Sequence, residues 1–301
     1  MGRVLTLLYH RVRTYDKDVQ LLSVTPEYFT TQMDWLKENY KIIRFDEDWS
    51  RIEGDAVCIT FDDGYRDNFL TAAPILKRRQ IPAIVFVATA NIDTKREMWW
   101  DELERNLLAD KEYKAEFCLF DEMFGCSWNV ENSERREDLY HTMHWLMRQV
   151  EVRHRKDWLR QLQEWNGYTE NGREENVCVR TADLKTIDAS TLQIGAHTVN
   201  HPVLARLTGQ EQKREIEESK RYLETVLQQP VLTFSYPFGG ISDYNADTLK
   251  ACKELGFSKV AANIPGIWKT GDDLYQIPRC IVRDWDLEEF KKYIKKFWKG
   301  I

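Results

Sequence analysis

The 301-residue sequence lacks any hydrophobic run that reaches the roughly 18 apolar residues needed to cross a bilayer. Its N-terminal apolar stretch is too short for the hydrophobic part of a secretion signal, and no small-residue cleavage site follows it. We therefore predict a cytoplasmic protein with no transmembrane segment. Peripheral association with a membrane remains compatible with this sequence.

The sequence also lacks a Cys-x-x-Cys pair, although it contains six cysteines. Cys58 and Cys280 lie inside apolar, strand-like runs, where a reduced cysteine behaves as a small hydrophobic residue. Scattered, unpaired cysteines favour a reducing compartment, in agreement with a cytoplasmic location.

A concentration of positive charge is missing as well. The 43 basic and 49 acidic residues are well mixed, and the formal net charge is −6. Proteins that bind nucleic acids usually carry a basic patch or stripe. We therefore expect no nucleic-acid partner.

What the sequence does contain is an alternation of buried-strand and helical patterns, over residues 1–95 and again over residues 181–301. Such alternation is typical of parallel strands joined by helical crossovers, and it predicts an α/β fold. Thr25 and Asp46 are predicted to cap helices, and Thr208 with Glu211 forms a capping box that opens a long helix.

Residues 96–180 interrupt this alternation with a charged, aromatic segment that is mostly helical in pattern. One helix is predicted to start at Ser133, and a second to end at Gly167. We predict an inserted helical subdomain here. His141 and His144 are three residues apart, but no carboxylate or cysteine pattern accompanies them, so we interpret them as structural.

Two adjacent carboxylates, Asp62 and Asp63, end a predicted strand over residues 56–61 and precede Gly64. Like charges this close raise each other's pKa unless a cation or a shared proton offsets the repulsion. The ends of such strands are also where α/β enzymes build their active sites. A solvated turn is the simpler interpretation of this tripeptide taken alone.

Two histidines, His197 and His201, follow another predicted strand and change that interpretation. Pro202 disfavours a helix at His201, which places the pair in a turn. Two histidines and one carboxylate form a metal-ligand set with open positions for water and substrate. The pattern predicts a divalent-metal site, at which one aspartate remains to accept a proton from the metal-activated water.

Hydrolysis of a carbonyl compound also needs a group that stabilises the oxyanion and a general acid, and candidates for both follow other predicted strands. A backbone N–H in the turn after Pro237 is a candidate for stabilising an oxyanion. His10, at the end of the first predicted strand, is a candidate general acid for the leaving group.

Three segments, TFDDG at residues 60–64, HTVNHP at 197–202 and FSYPFG at 234–239, resemble the motifs of polysaccharide deacetylases. This is carbohydrate esterase family 4, the family with the NodB-homology fold. The resemblance covers residues 4–95 and 185–285. It implies a distorted (β/α)7-type barrel and removal of acetyl groups from N-acetylated, sometimes O-acetylated, sugars. The implied partner is an acetylated carbohydrate, either a polysaccharide or a lipid- or nucleotide-linked precursor.

The resemblance also implies roles for individual residues. Asp63, His197 and His201 would bind one divalent metal, usually Zn²⁺, and Asp62 would be the catalytic base. The substrate and the oxyanion would meet the motif that contains Tyr236, Pro237, Phe238 and Gly239.

Two features depart from the usual pattern of the family. The Tyr-His-x-Val sequence at residues 9–12 resembles a subgroup with permuted motifs, in which His10 would be the catalytic histidine. Many members carry an arginine at the position of Ser235, where it orients the base. Arg279 is a candidate for supplying that charge, and a purely structural salt bridge is the alternative.

Three other functions stay open on the sequence. The same residues would serve an amide or formyl hydrolase acting on another small substrate. They would also be compatible with a carbohydrate-binding pseudoenzyme, although the intact ligand set argues against it. The tryptophan-rich insertion could bind a protein partner.

Overall fold

The structure, a computed structural model, describes residues 2–122, 124–169 and 171–299. The outer ends of the predicted domains, residue 1 and residues 300–301, lie outside the described residues, as do residues 123 and 170 of the predicted insertion. The chain forms two compact units, residues 1–92 with 179–301 and residues 93–178. The predicted domain boundaries, after residues 95 and 180, stay a prediction.

The elements of the whole chain are numbered here in chain order. The strands are β1 (Arg3–Tyr9), β2 (Arg11–Val12), β3 (Ser23–Val24), β4 (Lys41–Ile43), β5 (Asp55–Phe61), β6 (Ala83–Val87), β7 (Glu116–Phe120), β8 (Gly125–Asn129), β9 (Leu192–Ala196), β10 (Thr233–Ser235), β11 (Lys259–Ala261), β12 (Trp268–Lys269) and β13 (Arg279–Ile281). The α-helices are α1 (Pro26–Asn39), α2 (Ala73–Arg79), α3 (Trp99–Leu108), α4 (Ser133–Gln149), α5 (Val152–Asn166), α6 (Thr181–Lys185), α7 (Gly209–Leu227), α8 (Ala246–Glu254) and α9 (Leu287–Lys299).

Seven parallel strands form a nearly closed barrel in the first unit. They are hydrogen-bonded in the order β11, β10, β9, β6, β5, β1, β13, and a parallel bridge between Ala261 and Ile277 links the two ends. β4 adds to β5, and β12 pairs antiparallel with β1. The predicted (β/α)7-type barrel is confirmed.

The barrel strands are buried on both faces, and alternate residues enter different apolar clusters. Along β5, Ala56 and Cys58 belong to the same apolar cluster as Phe86. Val57 and Ile59 belong to another cluster, which also contains buried apolar residues of the helices. This alternation follows from the two-residue period of a strand. It also places Asp62, two residues beyond Thr60, on the same side as Cys58.

The predicted helix starts are correct except at one position. The Thr208–Glu211 capping box opens α7, as predicted. Thr25 precedes α1, but its hydroxyl donates to Asp284 instead of capping the helix. The prediction for Asp46 is wrong. The short 3₁₀ turn Trp49–Arg51 begins later than predicted and is capped by Asp48, whose side chain accepts from the N–H of Ser50, whereas Asp46 pairs with Arg44.

The second unit, residues 93–178, contains α3, α4 and α5, and α4 starts at Ser133 as predicted. Gly167 ends α5 in the left-handed conformation, at φ 68°. The unit also contains an antiparallel β7–β8 hairpin that we did not predict. Its apolar residues, such as Phe117 and Leu119, alternate with exposed ones over only five positions, which is a weak signal in a helical context.

None of the helices in the described part of the chain is long and apolar enough to span a membrane. The cytoplasmic location stays a prediction.

Candidate active site

Two of the predicted motifs meet where β5 and β9 end, at one edge of the barrel. One carboxylate oxygen of Asp63 lies 3.6 Å from Nε2 of His197 and 3.4 Å from Nε2 of His201. Single donor atoms of the three residues all lie within 4.8 Å of one another, and the three side chains are buried. The described residues form no other such group of His, Cys, Asp or Glu side chains.

The chemistry of these donors fits a divalent metal. Two imidazoles and one carboxylate are a common zinc set that leaves positions open for water and substrate. Nδ1 of His197 lies 2.7 Å from the carbonyl oxygen of Ser235, which can only accept, so Nδ1 carries the proton and Nε2 is left to bind. Burial lowers the pKa of His197, but Asp62 and Asp63 together raise it above its ordinary value. The site therefore favours positive charge.

The backbone around these donors adopts an unusual conformation. Asp63, Thr198, His201 and Phe238 all have positive φ, between 51° and 76°. Non-glycine residues in this region cost about 1–3 kcal/mol each, and they concentrate at functional sites. The neighbouring Gly64, at φ 79°, could not carry a side chain, since a Cβ there would lie 2.8 Å from Val87.

Asp62, the second carboxylate of the pair, is bound mainly by Arg279, and its Oδ2 lies 3.9 Å from Nε2 of His197. The two guanidinium nitrogens Nη1 and Nη2 each donate to one carboxylate oxygen, at 2.7 Å. Arg279 is fully buried and Asp62 is 4% exposed. A bidentate pair of this kind fixes both the position and the orientation of a carboxylate.

The guanidinium group of Arg279 also forms hydrogen bonds with residues other than Asp62. Nε donates to the carbonyl of Ala262 at 2.9 Å, and Nη2 donates to the hydroxyl of Ser235 at 2.8 Å. Burial raises the pKa of Asp62, but Arg279, together with His197, lowers it further than burial raises it. The carboxylate therefore stays ionised at neutral pH.

The hydroxyls of Thr60 and Ser235 are contacts of this arginine that our sequence analysis missed. The strand period could have indicated Thr60, because it lies two residues before Asp62 on the same face of β5. The resemblance marked position 235 only as the usual place of an arginine, and it gave no role to a serine there. The role of Ser235 depends on the arginine that reaches it from β13.

His10 follows β1 at the same edge, and its backbone carbonyl accepts a hydrogen bond from Asn68 at 2.8 Å. Burial lowers the pKa of His10, and it outweighs Asp63 and Asp62, which are close enough to raise it. The imidazole therefore lies within electrostatic reach of both carboxylates. Its catalytic role stays a prediction.

The four residues predicted to meet substrate follow β10. The N–H of Tyr236 donates to Ala261, and the N–H of Gly239 donates to Pro237, which itself has no N–H. The Gly239 bond closes a three-residue turn around Phe238, whose ring lies 4.7 Å from that of His201. The turn after Pro237 therefore lies beside one of the predicted metal ligands, and its role in binding the oxyanion stays a prediction.

The chain thus combines a buried Asp-His-His group with a (β/α)7-type barrel, as the resemblance in its sequence implied. The model of the polysaccharide deacetylase family matches residues 51–260, which is more than half of the sequence. The chain belongs to this family.

Individual relatives are similar to this chain at low identity. The Bacillus subtilis (strain 168) protein YxkH is 22% identical over 283 residues, which cover 92% of this chain and 70% of that protein. Among solved structures, the Streptococcus pyogenes deacetylase PplD in complex with acetate has a TM-score of 0.62 at 18% identity, covering 98% of each chain. BC0361, a polysaccharide deacetylase from Bacillus cereus, has a TM-score of 0.62 at 19% identity, covering 97% of this chain and 69% of that one. At such identities the structural similarity concerns the fold.

Proposed function

We propose that this chain is a metal-dependent hydrolase that removes acetyl groups from N-acetylated sugars. The observation that carries the proposal is the division of labour between two adjacent carboxylates. Asp63 faces His197 and His201, whereas Asp62 is held by Arg279. Membership of the polysaccharide deacetylase family supports acetylated carbohydrate as the substrate.

Asp63, His197 and His201 would hold one divalent cation, and their donor atoms suit Zn²⁺ best. When bound, such a cation supplies a Lewis acid that polarises the acetyl carbonyl and lowers the pKa of a water molecule.

Asp62 would act as the general base. Its carboxylate takes one proton from the attacking water as the new C–O bond forms at the acetyl carbon. Arg279 serves this step in two ways, because it keeps Asp62 ionised and holds its oxygens in one orientation. Arg279 is therefore a positioning residue in this mechanism.

The developing oxyanion would be met by the backbone N–H of Phe238, in the turn beside His201. Collapse of the tetrahedral intermediate breaks the C–N bond. His10 would protonate the departing nitrogen, so that acetate and a free amino sugar are the products.

Acetate release from a panel of N-acetylated polymers and smaller acetylated sugars tests this function. We expect release by the wild-type enzyme, and a loss of roughly 10²–10⁴-fold in turnover for Asp62→Asn with its zinc content unchanged. His197→Ala, the matched control, should lose both zinc and turnover. Retained turnover in metal-loaded Asp62→Asn would exclude Asp62 as the base. No acetate release from any substrate would favour a binding protein.

A further inference from the structure

Glu215, on the second turn of α7, contacts the loop that joins the two predicted histidine ligands. Its Oε2 accepts hydrogen bonds from the backbone N–H groups of Val199 and Asn200, at 3.0 and 2.9 Å. Its Oε1 accepts a third bond from the side-chain amide of Asn200, at 2.7 Å. A single carboxylate thus binds two successive backbone amides midway between His197 and His201.

The other side of this loop is fixed by the barrel. The carbonyl oxygens of Thr198 and Val199 accept hydrogen bonds from the backbone N–H groups of Thr89 and Ala90, at 3.2 and 2.9 Å. These neutral bonds tie the loop to the segment after β6. Glu215 approaches the N–H groups of the same loop, and it brings a full negative charge.

The loop needs such an anchor because its backbone is strained. Thr198 and His201 have φ angles of 66° and 51°, in a region that side chains disfavour. Hydrogen bonds to an ionised acceptor are roughly twice as strong as neutral ones, and successive N–H groups form a natural anion-binding concavity. The hydrogen bonds of Glu215 can therefore stabilise a strained loop conformation that would be unfavourable without them.

We propose that Glu215 is a positioning residue for the metal site, which sets the separation of the two imidazoles. The proposal rests on the proposed function, since it takes the Asp63, His197 and His201 group to bind a metal. A partner of this kind contacts no metal, substrate or reacting atom. Removing such outer partners typically weakens metal binding by about 10–100-fold.

Zinc affinity of the full chain, measured by competition with a chromogenic chelator, tests the proposal directly. We expect the Kd for zinc to rise at least 10-fold in Glu215→Ala. Glu215→Gln keeps the shape of the side chain and one acceptor oxygen, so its Kd should rise by a smaller factor. Glu218→Ala is the matched control, because Glu218 is exposed on the same helix, and its Kd should match the wild type within about twofold.

A second readout separates positioning from mere stability. The absorption spectrum of bound Co²⁺ reports the ligand geometry, and it should change in Glu215→Gln even when the apoprotein melts at the wild-type temperature. An unchanged zinc Kd and Co²⁺ spectrum in both Glu215 variants would overturn the proposal while leaving the proposed function intact. A wild-type chain that binds no zinc would overturn both.

Discussion

Asp62 and Asp63 are neighbours in sequence, yet their side chains serve different partners. The positive φ of Asp63 turns the chain sharply at this point, so that its carboxylate points to the histidines while that of Asp62 points to Arg279. Nε2 of His197 lies near both carboxylates, 3.6 Å from Asp63 and 3.9 Å from Asp62. Arg279 and the histidines together offset the repulsion expected between adjacent carboxylates.

The contribution of the Arg279–Asp62 ion pair to the free energy of unfolding should be largest when only one of the two residues is replaced. Arg279→Gln leaves Asp62 buried without its bidentate partner, and it should lower the free energy of unfolding by about 3–5 kcal/mol. In the Asp62→Asn background the same change should cost clearly less. Urea denaturation of the four proteins measures this double-mutant cycle. Equal losses in both backgrounds would mean that the charge pairing contributes nothing specific.

His10 should matter most when the leaving group is poor. His10→Ala is expected to slow hydrolysis of an N-acetyl substrate by roughly 10²–10⁴-fold, because an amine must be protonated as it departs. An activated acetate ester, whose leaving group needs no proton, should lose much less. Steady-state kinetics on both substrates, with zinc content measured in parallel, checks this. The same loss on both substrates would remove His10 as the general acid.

At the scale of elements, α4 contributes a half-buried histidine to the second unit. His144 stacks on Trp99 of α3, with ring centroids 5.0 Å apart. Burial, together with the nearby Arg148 and His141, lowers the pKa of His144 to about 4. The contact between α3 and α4 therefore depends on a neutral imidazole.

This contact predicts a pH dependence of stability. Between pH 6.5 and about 4 the unfolded chain binds a proton that the folded His144 does not, so stability falls as the pH is lowered through this window. The loss from this group is at most about 3 kcal/mol. His144→Phe keeps an aromatic ring against Trp99 and should show a flatter pH profile in urea unfolding followed by tryptophan fluorescence. An identical profile in the variant would contradict the assignment.

At the scale of the whole molecule, the proposed metal ligands come from distant parts of the chain. Asp63 follows β5, and His197 and His201 follow β9, with the entire second unit between them in sequence. A ligand that binds only the folded arrangement stabilises it by mass action. Metal binding is therefore expected to stabilise the barrel as well as to enable the chemistry.

Removing the metal should lower the melting temperature of the wild-type protein. Zinc at roughly 100 times its Kd should stabilise the folded chain by about 2.7 kcal/mol, and a chelator should abolish that gain. Thermal denaturation with zinc and with chelator measures it. His197→Ala is the control that should not respond to zinc, and a full response there would place the bound zinc elsewhere.

The sequence alone determined the features that depend on short-range pattern. Strand and helix positions followed from the two-residue and 3.6-residue periods, and the Thr208–Glu211 capping box followed from a three-residue spacing. The metal-ligand candidates were also identifiable, because each motif is contiguous and directly follows a predicted strand. Short or competing patterns gave wrong or missing predictions. The β7–β8 hairpin was not predicted, and Asp46 was predicted to cap a helix that Asp48 caps instead.

Only the tertiary structure decided which distant groups became partners. Arg279 reaches Asp62 because β13 and β5 both pair with β1, which brings together residues 217 positions apart. No local pattern encodes that neighbour, since it depends on the order in which the strands close the barrel. Glu215 was likewise one of many acidic residues on α7 until the fold brought it against the histidine loop.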